Sequence, residues 1–279
     1  MDWIYCQNNS DKILCEGLSC LKKSTSSNWQ EVSSTMFGNY LISNSQKAYY
    51  IGQSKKILRR LWQHLGNTNS KFYREFKKKC KSELAILNNL ELNYFKVRTL
   101  ETKIGRRELE EFGIVNLPTI LNISHKNKRT PVFEETHTDI WGKVQGKHKD
   151  LLSQGEKLFF KQKLFNWDEV ELSAAPSVYR VFDKSGQLIY LGETVNIEKR
   201  HLAHSRRSYI SALRRNVGTD IFKFDFVGKK KFCPRHDEAI TQFLQSCSIA
   251  YMKVSFGRLE LEEYLIKKYK SVLNRKDNT

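Results

Sequence analysis

The chain is short of the residues that break a fold, staple it or anchor it in a membrane. Its 279 residues include 4 prolines and 14 glycines, too few for a long disordered or collagen-like region. The six cysteines, Cys6, Cys15, Cys20, Cys80, Cys233 and Cys247, contain no C-x-x-C pair. Cys6, Cys15 and Cys20 together would make three zinc ligands, but their spacing matches no common zinc pattern, so all six are read as reduced thiols. No stretch of about 18 apolar residues occurs, and no membrane span is expected. Met1 to Cys6 has neither a basic start nor an apolar run, so no signal peptide is read and a cytoplasmic location is expected. Acidic residues are scarce as well: 30 Asp and Glu face 48 Lys and Arg, for a net charge of +18.

A hydrophobic content of 39% and an aromatic content of 12% suit a folded protein, and the length has room for two small domains that each bury a core. The positive charge comes in short clusters: Lys77, Lys78 and Lys79; Arg106 and Arg107; Arg206 and Arg207; Arg214 and Arg215; Lys229, Lys230 and Lys231. Any one cluster reads as a solvated helix face. Their sum predicts a polyanionic partner, held by phosphate neutralisation and counterion release. An anionic membrane surface is the weaker alternative, since no amphipathic helix with a large bulky apolar face supports it.

The chain repeats itself. Residues 105–122, GRRELEEFGIVNLPTILN, align without a gap to residues 257–274, GRLELEEYLIKKYKSVLN, with nine of eighteen positions identical. Upstream, residues 50–64, YIGQSKKILRRLWQH, align to residues 190–204, YLGETVNIEKRHLAH. The offset is 152 in the first pair and 140 in the second, so the second copy carries 12 extra residues between the two blocks, placed near Lys229–Pro234. Two ordered pairs of matches indicate a duplication.

Each copy reads alike. Short Tyr- and Ile-rich runs at 39–42 and 48–52 form a hairpin signature, and runs at 177–182 and 188–192 flank the turn Asp183-Lys184-Ser185-Gly186. A basic helix is expected over 55–64 and its counterpart. A third strand is expected over 93–99 and 221–227, and each copy ends in its Glu-rich helix. The order β-β-α-α-β-α predicts an α+β fold, two small domains with short antiparallel sheets flanked by helices. Boundaries fall at 37–124 and 173–279, with an N-terminal extension over 1–36. The connector over 125–172 is expected to be partly helical from Leu151, Leu152, Leu158, Phe159, Phe160 and Leu164.

Gly38-Asn39-Tyr40, then Tyr50-Ile51-Gly52, Arg60 and the helix of Glu110 resemble the GIY-YIG nuclease family. Ser177-Val178-Tyr179, Tyr190-Leu191-Gly192, Arg200 and Glu262 do so again, and the resemblance covers about 85 residues in each half. The pattern is similar to that of the family's restriction endonucleases, which have a His one turn after the Arg and an Asn twelve residues after the Glu. His64 and His204 follow their Arg by four, and Asn122 and Asn274 follow their Glu by twelve. The departures are Ser177 at the first Gly and Asn39 at the apolar middle position.

The resemblance implies Mg²⁺, or Mn²⁺, at Glu110 and Glu262, one ion per site, and no small-molecule cofactor. A single carboxylate suits an ion that keeps several waters. Arg60 and Arg200 offer a permanent fork of donors to phosphate oxygens. Tyr40 and Tyr179 are the general-base candidates, provided nearby cations lower their pKa, while Tyr50, Tyr190, His64 and His204 orient water or phosphate. Asn122 and Asn274 either fix site geometry by hydrogen bonds or cap the preceding helix. Arg206, Arg207, Arg214, Arg215, Lys229, Lys230 and Lys231 are candidate contacts to double-stranded DNA. The expected activity is a DNA endonuclease of restriction type that works as a single-chain pseudo-dimer and so needs no second copy. A nuclease with one active half, or an inactive DNA-binding module, is the alternative.

Overall fold

The computed structural model describes residues 1–67, 69–81, 94–122, 133–134, 138–206 and 208–275, and the chain divides into two compact units at the step from His148 to Lys149. In unit 1, α1 (Trp3–Asn8) and α2 (Ser10–Lys23) precede β1 (Ser26–Asn28), the hairpin β2 (Gly38–Ser43) and β3 (Ala48–Ser54), and helices α3 (Ile57–Leu65) and α4 (Lys71–Lys79). Then come β4 (Lys96–Glu101), α5 (Arg106–Asn116) and α6 (Ile140–Gly146). Its sheet has the order β1-β4-β2-β3 and is antiparallel throughout.

Unit 2 contains α7 (His148–Phe160), β5 (Phe165–Asn166), the hairpin β6 (Ser177–Phe182) and β7 (Leu188–Thr194), α8 (Ile197–Arg206) and α9 (Ala212–Asn216). A π-helical turn, α10 (Pro234–Gln245), β8 (Ser248–Lys253) and α11 (Arg258–Tyr269) complete it. The sheet order β5-β8-β6-β7 reproduces that of unit 1. The fold is α+β twice over. No helix among the described residues is long and apolar enough to cross a membrane.

The central strands explain the architecture. β2 is buried along its whole length, because helices cover both faces of the sheet, and it therefore reads as a continuous run rather than an alternation. On one face Tyr40, Ile42, Tyr49 and Val97 meet Ile57 and Leu61 of α3 and Phe72 and Phe76 of α4. On the other face lie α2 and α5. In unit 2, Tyr179, Val181, Ile189 and Ile249 pack with Ile197, Leu213 and Ile240 in the same way, and α11 covers the opposite face. The hairpin turns are tied by side chains: Asn44 Oδ1 accepts from the Gln46 and Lys47 amides, and Asp183 Oδ1 from those of Ser185 and Gln187.

β1 and β5 lie in the segments treated above as extension and connector, and each adds an edge strand to the adjacent sheet. Residues 3–29 and 141–167 are in fact a third pair of repeats, with Trp3 matching Trp141, Leu14 matching Leu152, Gly17 matching Gly155 and Asn28-Trp29 matching Asn166-Trp167. The local structure repeats with it. Asn28 and Asn166 each donate a side-chain hydrogen bond to a glutamate three residues on, Glu31 and Glu169.

One expected strand is corrected. Residues 221–227 are not β in unit 2; the third strand is β8, Ser248–Lys253. The Phe222, Phe224 and Phe226 alternation imitates a strand, but these rings stack instead, Phe222 on Phe224 at 5.0 Å and Phe224 on His236 at 3.8 Å. The extra residues of unit 2 thus form an aromatic-packed excursion between α9 and α10. Lys223 and Lys230, both at positive φ, turn the chain within it.

Helices α2 and α6 approach at Gly17, where an added Cβ would lie 2.6 Å from the Trp141 ring. An indole cannot flex away as an alkyl tip can. Gly17→Ala is therefore expected to lose about 1–3 kcal/mol in urea unfolding despite its better helix propensity. Gly146→Ala, where nothing lies within 4 Å of the added Cβ, is expected to lose far less.

Candidate nuclease sites

The register of each hairpin places the first tyrosine opposite the second glycine: Tyr40 pairs with Gly52, and Tyr179 with Gly192. The tyrosine ring lies over that glycine. A Cβ on Gly52 would stand 2.5 Å from the Tyr40 hydroxyl and 2.8 Å from the Tyr50 ring, and one on Gly192 would stand 2.4 Å from the Tyr179 hydroxyl. The glycine is thus a steric requirement of the site, since the phenol occupies the space of a side chain.

The next helix leaves the hairpin directly. Ile57 and Leu61 bury one face of α3, which leaves Arg60 and His64, one turn apart, beside the tyrosines. His64 Nε2 lies 3.1 Å from the Tyr40 hydroxyl, and His204 Nε2 lies 2.7 Å from that of Tyr179. The Tyr50 ring stands 5.0 Å from His64, and the Tyr190 ring 6.2 Å from His204. Neither histidine is a surface residue: His64 is half-buried and His204 is 1% exposed.

Glu110 and Glu262 come from α5 and α11. Glu110 and Glu262 are themselves half-buried, and Glu108 and Glu260 on the other side of each helix are buried, so neither helix carries a fully solvated acidic stripe. Glu110 lines a cleft of about 260 Å³ together with Tyr50, His64, Asn122 and Arg107. In unit 2 the carboxylate of Glu262 accepts a hydrogen bond of 3.1 Å from the Glu193 amide. Among the described residues no three His, Cys, Asp or Glu side chains gather into a metal cluster. Glu110 opens on a cleft that Glu75 and Glu111 also line without converging on one point, which fits a hydrated, hard divalent cation rather than an ion caged by protein ligands.

Asn122 and Asn274 hold geometry. Asn122 Oδ1 accepts from the Ile51 amide and its Nδ2 donates to the Ile51 carbonyl, both at 2.9 Å. Asn274 treats Leu191 identically at 2.8 Å. Each side chain acts as a short extra rung on the open edge of the second hairpin strand. Neither caps the preceding helix, since α5 ends at Asn116 with Leu117 as its cap and α11 ends at Tyr269 with Lys270 as its cap.

Burial dominates the electrostatics. It raises Tyr40 and Tyr179 well above the ordinary phenol value, the neighbouring tyrosines adding to it and Arg60 and Arg200 opposing it. Tyr50 and Tyr190 are pushed up to about 12, first by burial and then by Glu110 and Glu262. Burial, aided by Arg60, lowers His64 to about 4; burial and Arg200 lower His204 as well. Glu110 rises to about 7 through burial, with Arg107 opposing. At neutral pH each site therefore pairs a protonated phenol with a neutral imidazole to which it is hydrogen-bonded.

Of the expected DNA contacts, Arg206, Lys229, Lys230 and Lys231 are exposed, and Lys231 Nζ lies 5.7 Å from the Tyr209 ring. Arg214 is corrected. It is 1% exposed and donates to the His204 and Ser205 carbonyls, to Thr241 and to Asp237, with which it forms a 2.9 Å ion pair. A buried guanidinium that clamps three segments has no donors to spare for phosphate. Arg215 donates to the Ser208 and Tyr209 carbonyls. Arg207 lies outside the described residues.

Sequence reasoning missed Lys71, Glu75 and Arg107, which line the unit 1 cleft, and Ser211, whose hydroxyl lies 2.6 Å from His204 Nδ1. Arg107 was within reach, as it stands three residues before Glu110 on the same helix.

Residues 36–113 match a family model described as the GIY-YIG catalytic domain, and residues 157–279 match a second model of the same description. The chain belongs to the GIY-YIG nuclease family. It carries two tandem GIY-YIG domains. Neither a curated protein nor a solved structure matches it.

Two outcomes follow for these GIY-YIG sites. Gly52→Ala is expected to displace the Tyr40 ring and abolish cleavage by the first domain, as scored by product strand in a gel assay. The two histidines are held neutral on folding, below the unfolded value of about 6.5. Their contribution to stability is complete above that pH and is lost as pH falls toward 4, the His64 value. Urea midpoints should drop over that window, and less steeply in the His64→Gln/His204→Gln double variant.

Proposed function

We propose that the chain is a metal-dependent endonuclease of restriction type that cuts both strands of double-stranded DNA from a single polypeptide. The observation that carries this reading is the full repetition of the site. Both domains keep the tyrosine over glycine, the tyrosine–histidine hydrogen bond, the arginine one turn before the histidine, the helical glutamate and the asparagine rung. The net charge of +18 suits a polyanionic substrate. Mg²⁺ or Mn²⁺ held at Glu110 and Glu262 would stabilise charge on the leaving oxygen.

The protein's own groups divide the remaining work. Arg60 and Arg200 fork onto non-bridging phosphate oxygens as charge develops there. Burial holds Tyr40 protonated before substrate binds, so it does not start as a free phenolate. Instead, as water attacks phosphorus, its proton passes to the Tyr40 oxygen while the phenol proton moves to His64 Nε2. Tyr40 ends neutral and His64 ends as imidazolium. Tyr179 and His204 repeat the relay. Tyr50 and Tyr190 orient the water or the phosphate.

A nuclease with one dominant half is the second reading, favoured by a difference between the domains. Glu193 in the second domain forms a 2.7 Å ion pair with buried Arg258, while Gln53 occupies the matching place in the first. The two halves need not cut at equal rates.

Supercoiled plasmid incubated with Mg²⁺ separates these readings. Wild type is expected to give linear DNA, Glu110→Gln and Glu262→Gln only nicked circles, and the double variant nothing. Linear product from either single variant in one binding event would refute the two-site reading. Arg60→Ala is expected to slow cleavage by the first domain by roughly 10²–10³-fold.

A further inference from the structure

The first domain has a second cavity, of about 420 Å³, on the far side of α3 from the Glu110 cleft, lined by Trp29, Leu58, Trp62, Lys56 and Arg59 among others. Trp62 is 56% exposed, whereas Trp3, Trp29, Trp141 and Trp167 are each less than a tenth exposed. An indole left in water beside a cavity is an unusual placement for so large an apolar surface. Leu58, Arg59 and Trp62 share one face of the helix by their three- and four-residue spacing.

The cavity is continuous in composition with a trough lined by Lys55, Lys56, Arg59 and Arg60, two of which line both. Among the described residues no acidic side chain lines either. The cationic trough thus leads from Arg60, which the proposed mechanism places on the scissile phosphate, to an exposed indole. A polyanion with flat aromatic groups matches that sequence of surfaces. The second domain does not repeat these residues. At the positions of Lys55, Lys56, Leu58 and Trp62 it carries Val195, Asn196, Glu198 and Leu202, with an acid where the first domain has a pocket wall.

We propose that this cavity is a nucleobase subsite, which receives one base unstacked from the strand whose phosphate lies against Arg60. Trp62 stacks on the base while Lys56 and Arg59 hold the flanking phosphate. The subsite makes the first domain prefer DNA that is distorted beside the cut, a preference the second domain does not share. This rests on the nuclease reading of the Arg60 site.

The test uses the full chain carrying Glu110→Gln and Glu262→Gln, so that DNA is bound and not cut. The probes are a fully paired fluorescein-labelled duplex and the same duplex with one bulged 2-aminopurine. The bulged duplex is expected to bind more tightly and its 2-aminopurine to be quenched. Adding Trp62→Ala should remove about tenfold of affinity for the bulged duplex and relieve the quenching, with little loss on the paired one. Trp62→Phe should restore most of both, and Leu202→Ala should change neither. A thermal melt confirms that these exposed substitutions leave the fold intact.

Equal binding of both duplexes by the parent chain would leave the groove to a protein partner and overturn the subsite. A Trp62→Ala loss equal on both probes would also overturn it, as would an equal effect of Leu202→Ala. Failure of the parent chain to bind either duplex at low salt would overturn the nuclease reading together with the subsite.

Discussion

The packing of a tyrosine ring over a bare glycine in the neighbouring strand is the constraint on which each half of this protein depends. It requires the hairpin register that sets Tyr40 opposite Gly52 and Tyr179 opposite Gly192. It also requires a second strand that cannot slip, and the asparagine rungs on Ile51 and Leu191 secure its free edge. A slip of one residue would turn the phenol to the other face of the sheet, away from α3 and its histidine. The site is therefore a property of strand pairing first and of side-chain chemistry second.

Burial then sets the protonation states. Tyrosines held protonated beside histidines held neutral make a donor–acceptor pair that is ready before any substrate arrives, which is the preorganisation that electrostatic catalysis exploits. The two domains reach this state by different supports. His204 is sealed in and contacts Ser211, and Arg214 brackets its backbone; His64 borders an open cleft. The basic pair Arg214-Arg215 is mostly structural as a result, and the positive surface available to DNA has to come from elsewhere.

Much of the fold was legible because the chain states it twice. The 105–122 and 257–274 repeat, with the motif block before it, marked both domains, both hairpins and the carboxylate helices. The third pair, residues 3–29 with 141–167, escaped notice because its elements are helices and a short edge strand, whose sequences tolerate drift wherever an apolar side chain of suitable volume fills the place. The false strand at 221–227 had the period of a strand. Those aromatics found partners by stacking on one another and on His236, and local alternation cannot reveal that.

Residue identity and spacing by themselves determined the family, the duplication and the six matching positions in each half to which we assign the chemistry, since helix pitch and strand alternation convert spacing directly into shared faces. What each position does was decided only in three dimensions. The sequence cannot distinguish an asparagine that caps a helix from one that bridges a strand edge, an arginine that meets phosphate from one buried against Asp237, or a tryptophan in the core from Trp62 in water. These depend on which surfaces meet across the fold, and contacts between residues distant in the chain are set by the packing of whole elements.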